Sequence, residues 1–205
     1  MENIILLLIQ IPVVLACLTI HEFSHGYVAY ILGDDTAKRA GRLTLNPLKH
    51  LDVLGAIMLI IVKIGWAKPV PVNPYNFKDM KIGMAITAAA GPASNFLFAI
   101  IAAFLYRSLM SGFPPSILTY TLQMLVIINI ALGLFNLIPF PPLDGSKIIG
   151  GFMPDEIFFR WMQWERKGAY LLMIIFGISF LFKIPLVGTI IMPALNYFVG
   201  LLLGG

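Results

Sequence analysis

His21-Glu22-Phe23-Ser24-His25 decides how this chain is read, as much for where it stands as for what it contains. The residues before it, Ile4 to Ile20, are almost continuously apolar, and the run resumes through Gly26-Tyr27-Val28-Ala29-Tyr30-Ile31-Leu32. The pattern predicts one apolar helix over residues 1–31, a membrane span carrying a His-Glu-x-x-His motif toward its C-terminal end. Residues four apart share a helix face, because four steps of about 100° nearly close a turn. His21 and His25 can therefore offer two imidazoles to one zinc ion. Glu22, about a quarter-turn on, can serve as general base toward a metal-activated water. Imidazoles and a carboxylate are costly in such surroundings and mark a site or an aqueous cavity.

Composition agrees with a membrane setting. Of 205 residues, 59% are hydrophobic and 12% charged, and the mean hydropathy is +0.90. Soluble domains carry about 25% charged residues, so this chain reads as integral to a membrane. The net charge of +4 reads as loop bias and not as a nucleic-acid footprint. One cysteine, Cys17, excludes an internal disulfide and a cysteine-based zinc finger, and is read as helix packing. No basic segment precedes the first apolar run, so residues 1–31 are expected to be a retained span, not a cleaved signal.

Further apolar stretches cover residues 51–66, 82–106, 117–138, 168–182 and 186–203. At about 20 residues per crossing, the first of these is marginal. Between the stretches, Arg39 to Leu45 is expected to form a short strand before the Asn46-Pro47 turn. Gly65-Trp66-Ala67-Lys68-Pro69-Val70-Pro71-Val72-Asn73-Pro74 holds three prolines, which forbid a helix or a central strand. An extended edge able to receive a peptide by strand addition and a rigid connector are equally compatible with those residues.

A catalytic zinc takes three protein ligands and keeps one position open. Asp144 follows Pro139-Phe140-Pro141-Pro142-Leu143 and precedes Gly145, where three prolines break an apolar helix. Broken helices at membrane depth line cavities, and a lone aspartate there is best explained as a metal ligand. His50, after Pro47-Leu48-Lys49, reads as interfacial. For the two halves to meet, the 1–31 and 117–138 helices must run in one direction, which requires residues 51–66 to dip into the membrane and return. With that dip, twelve of the fourteen lysines and arginines fall on one side, leaving Arg107 and Lys183 on the other. The positive-inside rule then sets the motif end toward the cytoplasm.

Three stretches together resemble the signatures of the site-2 protease family, the intramembrane zinc metalloproteases of peptidase family M50. They are His21-Glu22-Phe23-Ser24-His25, Gly91-Pro92-Ala93-Ser94-Asn95, and Asn136 through Gly145. The resemblance covers roughly residues 10–150 and is closest to the compact prokaryotic branch, without PDZ or CBS domains. It implies His21, His25 and Asp144 as ligands of Zn2+, Glu22 as general base, and Asn136 as a catalytic group holding the substrate or its oxyanion. It also implies substrate contacts from Asn95 and from Val70 and Val72 in the 65–74 segment, which favours strand addition there over a connector.

The expected architecture is an all-α polytopic membrane protein with five transmembrane helices, a re-entrant segment and short β-strands near the active site. It is expected to be one domain over 1–205, with a catalytic core over about 1–150 and C-terminal helices over about 168–203. Its partners would be a transmembrane protein or peptide substrate and the lipid bilayer, with no nucleic acid, and its place the cytoplasmic membrane. Asn129 is read as a packing polar group, and residues 152–167 as an interfacial amphipathic helix. Two rivals are a metal permease and a membrane zinc protease taking Glu156 or Glu165 as third ligand. The first predicts polar residues through several spans, and neither glutamate of the second lies in a supporting motif.

Overall fold

A computed structural model describes residues 2–61, 65–110 and 116–204. Its elements follow the apolar stretches. Helix α1 spans Glu2–Ile31, followed by short α2 (Thr36–Arg39), α3 (Pro47–His50) and α4 (Val53–Ile61). The long helices α5 (Met80–Met110) and α6 (Ile117–Asn136) come next, then α7 (Asp144–Gly150), α8 (Asp155–Gln163), α9 (Glu165–Phe182) and α10 (Leu186–Leu203). Among the described residues four helices are long and apolar enough to cross a membrane: Leu8–Ile31 of α1, then α5, α6 and α10. The fifth expected span, α9, opens on Glu165-Arg166-Lys167, which leaves residues 168–182 as its apolar part.

Helix α5 is the hub, packing against α1 on one flank and α6 on another. Small side chains allow the α5–α6 approach: Ala99, Ala102 and Ala103 meet Leu122, Val126 and Ile130 in a buried cluster. Leu195 and Val199 of α10 close over it. Large apolar side chains elsewhere point outward, as with Phe104 at 70% exposure and Ile190 at 71%. In water such a surface would drive association, whereas lipid accommodates it. Ser116 and Thr119 form a capping box that starts α6, satisfying donors that would otherwise be orphaned.

No strand occurs among the described residues, in contrast to the expected short β-strands. Residues 39–45 hold the end of α2, a turn and bends. The reason is local: Arg39 folds back onto Asp35 one helical turn earlier, and Gly41 turns the chain with φ of +64°. The 65–73 segment is extended, and its β-type pairing is a single antiparallel bridge between Leu51 and Ala67. Helix α4 is nine residues long, about 14 Å at 1.5 Å per residue, less than half of a bilayer core. Lys63, a charge within the apolar 51–66 stretch that suits a dip better than a crossing, lies outside the described residues.

Candidate metal centre

Three side chains far apart in sequence converge where α1, α5 and α7 meet. His21 Nε2 and His25 Nε2 lie 3.0 Å apart, and Asp144 Oδ2 is 3.1 Å from the first and 3.2 Å from the second. The side chains are 6%, 12% and 12% exposed. These are the residues able to hold one metal ion among the described residues.

The protonation of this triangle follows from its surroundings. Asn129 Nδ2 donates to the Leu125 carbonyl at 2.9 Å. A carbonyl only accepts, so the Asn129 amide is fixed with its oxygen toward Asn95. Asn95 Nδ2 donates to that oxygen at 2.8 Å, which in turn directs Asn95 Oδ1 at His21 Nδ1, 2.6 Å away. His21 must therefore carry its proton on Nδ1. His25 is fixed more directly, since its Nδ1 faces the Thr87 carbonyl at 2.7 Å. In the neutral rings both Nε2 atoms are then lone pairs, facing a carboxylate oxygen that has no hydrogen-bond partner of its own.

Three acceptors with no proton to share need a cation among them. Zinc bound by nitrogen and oxygen at about 2.0–2.2 Å would hold its ligands roughly 3.3 Å apart in a tetrahedron. The observed separations nearly match that edge, and the donor set of two imidazoles and a carboxylate suits zinc.

Glycine permits the close packing behind these rings. A Cβ on Gly91 of α5 would sit 2.6 Å from His21 Cε1 and overlap His25 Nε2 as well. Gly145 does the same for the third donor, since a Cβ there would overlap the Leu137 carbonyl. The first turn of α7 can therefore lie directly on the end of α6.

Glu22 is held from outside the helix. Its Oε2 accepts the main-chain N–H of Val70 at 2.8 Å. The Val70 segment is itself anchored: Lys68 N–H donates to the His50 carbonyl at 2.8 Å, and Arg42 Nη2 donates to the Lys68 carbonyl at 2.6 Å. The side chain of Val70 is 8% exposed, and that of Val72 packs against Ala29, Phe77 and Met84. Val70 is buried and Val72 partly so, whereas Lys68 and Pro69 are exposed.

Comparisons with known proteins agree with this chemistry. The description peptidase family M50 matches residues 113–182, which include Asn136 and Asp144. YwhC of Bacillus subtilis (strain 168), provisionally named a zinc metalloprotease, is 39% identical over 185 residues, 87% of this chain and 81% of the relative. The chain belongs to peptidase family M50. The zinc metallopeptidase activity and the Zn2+ cofactor follow from that membership. Rip2 of Mycolicibacterium smegmatis, with the same provisional description, is 32% identical over 135 residues, 64% of this peptidase and 52% of the relative. Rip2 of Mycobacterium tuberculosis (strain H37Rv) is 29% identical over 148 residues, covering 69% and 56%. This M50 chain thus spans about half the length of the two Rip2 relatives. No solved structure matches it significantly.

Other residues singled out in the sequence fall differently. Asn95, expected at the substrate, is 0% exposed and stands behind His21, so it orients the imidazole. Asn129 extends the same chain of bonds, with Nδ2 also 3.2 Å from Cys17 Sγ. Its polarity inside an apolar helix was the signal available in sequence. Asn136 donates to the Leu132 carbonyl of its own helix at 3.0 Å. His50 is 2% exposed and bonded through Nε2 to the Thr44 carbonyl at 2.8 Å, lining an apolar pocket of about 120 Å3 with Leu15, Leu18 and Trp66. Glu165 is paired with Lys147 at 2.8 Å, which removes it as a third metal ligand. Residues 152–167 form α8 and the start of α9, with Phe158 buried and Ile157 and Phe159 outward.

Proposed function

We propose that this M50 peptidase hydrolyses peptide bonds within or near transmembrane segments of membrane proteins, with His21, His25 and Asp144 holding zinc and Glu22 as general base. The observation that carries this reading is the meeting of two imidazoles, from a helix apolar enough to span a membrane, with the Asp144 carboxylate of α7, beside a Glu22 carboxylate gripped by Val70.

Held by His21, His25 and Asp144, zinc would lower the pKa of water and polarise a carbonyl. Glu22 accepts the proton of the attacking water as its oxygen bonds to the scissile carbon. The carboxyl then returns that proton to the leaving amine as the carbon–nitrogen bond breaks. Asn136, at the end of α6, would turn its amide from the Leu132 carbonyl to the developing oxyanion. A helical substrate shields its peptide bonds and must be drawn out locally. The main chain of Val70–Val72 would hold it extended by strand addition through its carbonyls and the Val72 N–H, since Pro69 and Pro71 have no N–H and that of Val70 is given to Glu22.

The proposed architecture is a single domain over 1–205, with its catalytic core over about 1–150 and C-terminal helices over about 168–203. It has five spans, α9 being the fifth, and α4 is re-entrant. The distribution of lysine and arginine supports a place in the cytoplasmic membrane with the site toward the cytoplasm. Glu22→Gln should keep stoichiometric zinc and lose cleavage of a transmembrane substrate in proteoliposomes. Retained cleavage would overturn the assignment.

A further inference from the structure

Asp34 lies three residues beyond α1 and takes no part in the metal triangle, yet it is 0% exposed. Its carboxylate is satisfied by neutral donors from two separate parts of the chain. Oδ1 accepts the Thr36 N–H at 3.1 Å, the Thr36 hydroxyl, and Asn76 Nδ2 at 2.7 Å. Oδ2 accepts the Asn73 main-chain N–H at 2.7 Å. Thr36 is local, whereas Asn73 and Asn76 lie 39 and 42 positions later. Closing a turn at Thr36 alone would need no buried carboxylate, whose desolvation is costly. The long-range donors set the geometry.

Those donors belong to the segment that grips Glu22. From Asn73 the chain runs back through Val72 and Pro71 to Val70, about 10 Å of extended backbone. Pro69 and Pro71 fix φ on either side of Val70, so displacement of one end carries to the other. Arg42 and the His50 carbonyl secure the Lys68 end, and Asp34 secures the Asn73 end. Asp34 also follows directly on the helix that carries Glu22, so both sides of the Glu22–Val70 contact share one anchor.

We propose that Asp34 is a positioning residue for catalysis: it clamps Asn73 and Asn76 to the end of α1, presenting the main chain of Val70–Val72 to substrate at a fixed distance from Glu22. This rests on the reading of that segment as the substrate's seat. Without the clamp the segment must be ordered at each binding event, so the loss falls on substrate binding and not on the bond-breaking step.

The test uses full-length protein in detergent micelles and a quenched-fluorescent peptide with one transmembrane segment, cleaved by wild type and not by Glu22→Gln. For Asp34→Asn, KM should rise about tenfold or more while kcat stays within about threefold. Zinc content should stay unchanged. Asn76→Ala should act in the same direction and more weakly, and the double variant should lose less than the two single effects combined, because both disturb the Asp34–Asn76 contact. A fall in kcat that tracks the folded, zinc-loaded fraction at unchanged KM would reduce Asp34 to a fold residue and overturn the proposal. Unchanged kinetics would do the same. If Asp34→Asn does not fold, Asn76→Ala, which leaves the carboxylate its other donors, decides by the same split. Cleavage by Glu22→Gln would overturn the reading of the site, and the clamp's catalytic role with it.

Discussion

The main-chain N–H of Val70 donates to Oε2 of Glu22 at 2.8 Å, joining two residues 48 positions apart. The contact is made by backbone, so side-chain changes at 70 test something different from loss of the donor. A hydrogen bond to a charged acceptor contributes about 1.5–3 kcal/mol. Val70→Pro should lower kcat/KM at least about tenfold without loss of zinc, and Val70→Ala should stay within a few-fold. Steady-state kinetics on both variants, with metal analysis alongside, checks this.

The chain of bonds from Leu125 through Asn129 and Asn95 to His21 predicts a graded effect on metal affinity. Outer partners of a ligating histidine are each worth about 10–100-fold in affinity. Asn95→Leu should lose the most, because it frees the imidazole outright. Asn129→Leu should lose less, since it releases only the orientation of Asn95. Competition against a chelator of known affinity measures both, and an equal loss in the two variants would contradict the relay.

Gly91 faces the imidazole pair across the α1–α5 contact. Gly91→Ala should displace at least one ring and lower bound zinc to well below one ion per chain. Ser94→Ala, which removes only a hydroxyl bonded to the Gly91 carbonyl within the same helix, should keep its zinc. Elemental analysis of the two purified variants separates them.

Asp34 also makes an acid-side prediction. Burial alone would raise its pKa, but the donors from Thr36, Asn73 and Asn76 outweigh burial and hold the carboxyl below its ordinary value. A group whose pKa is lowered by folding stabilises the fold fully above its unfolded pKa and loses that contribution as pH falls through the folded value. Protection of the Asn73 amide against hydrogen exchange should therefore persist down to about pH 3.8 and decline below it. In Asp34→Asn that acid-dependent decline should be absent.

Much of this arrangement was legible in the residues, and the limits were physical. The long apolar runs fixed α1, α5, α6 and α10, because burying or lipid-solvating a continuous apolar stretch leaves few alternatives to a helix. His21, His25 and Asp144 stood out because polar groups are expensive at that depth. Hydrogen-bond direction was not readable: Asn95 looked like a ligand-facing amide until the Asn129 oxygen and the His21 ring took its two ends. Main-chain contacts are equally silent in sequence, so Val70 drew attention through its proline neighbours and not through Glu22. In sequence Asp34 is one charge in a polar loop, and nothing local distinguishes it from Asp35, which pairs on the surface with Arg39.

The placement of Asp144 on α7 has a consequence for synthesis. On the proposed assignment, both imidazoles and the general base are made within the first 25 residues, while the third donor comes 119 residues later. A chain released only as far as α5 owns the motif and cannot close the centre. The motif-bearing segment is thus made well before the centre can close, and α8 to α10, with the Leu195 and Val199 that cover the α5–α6 cluster, come after it.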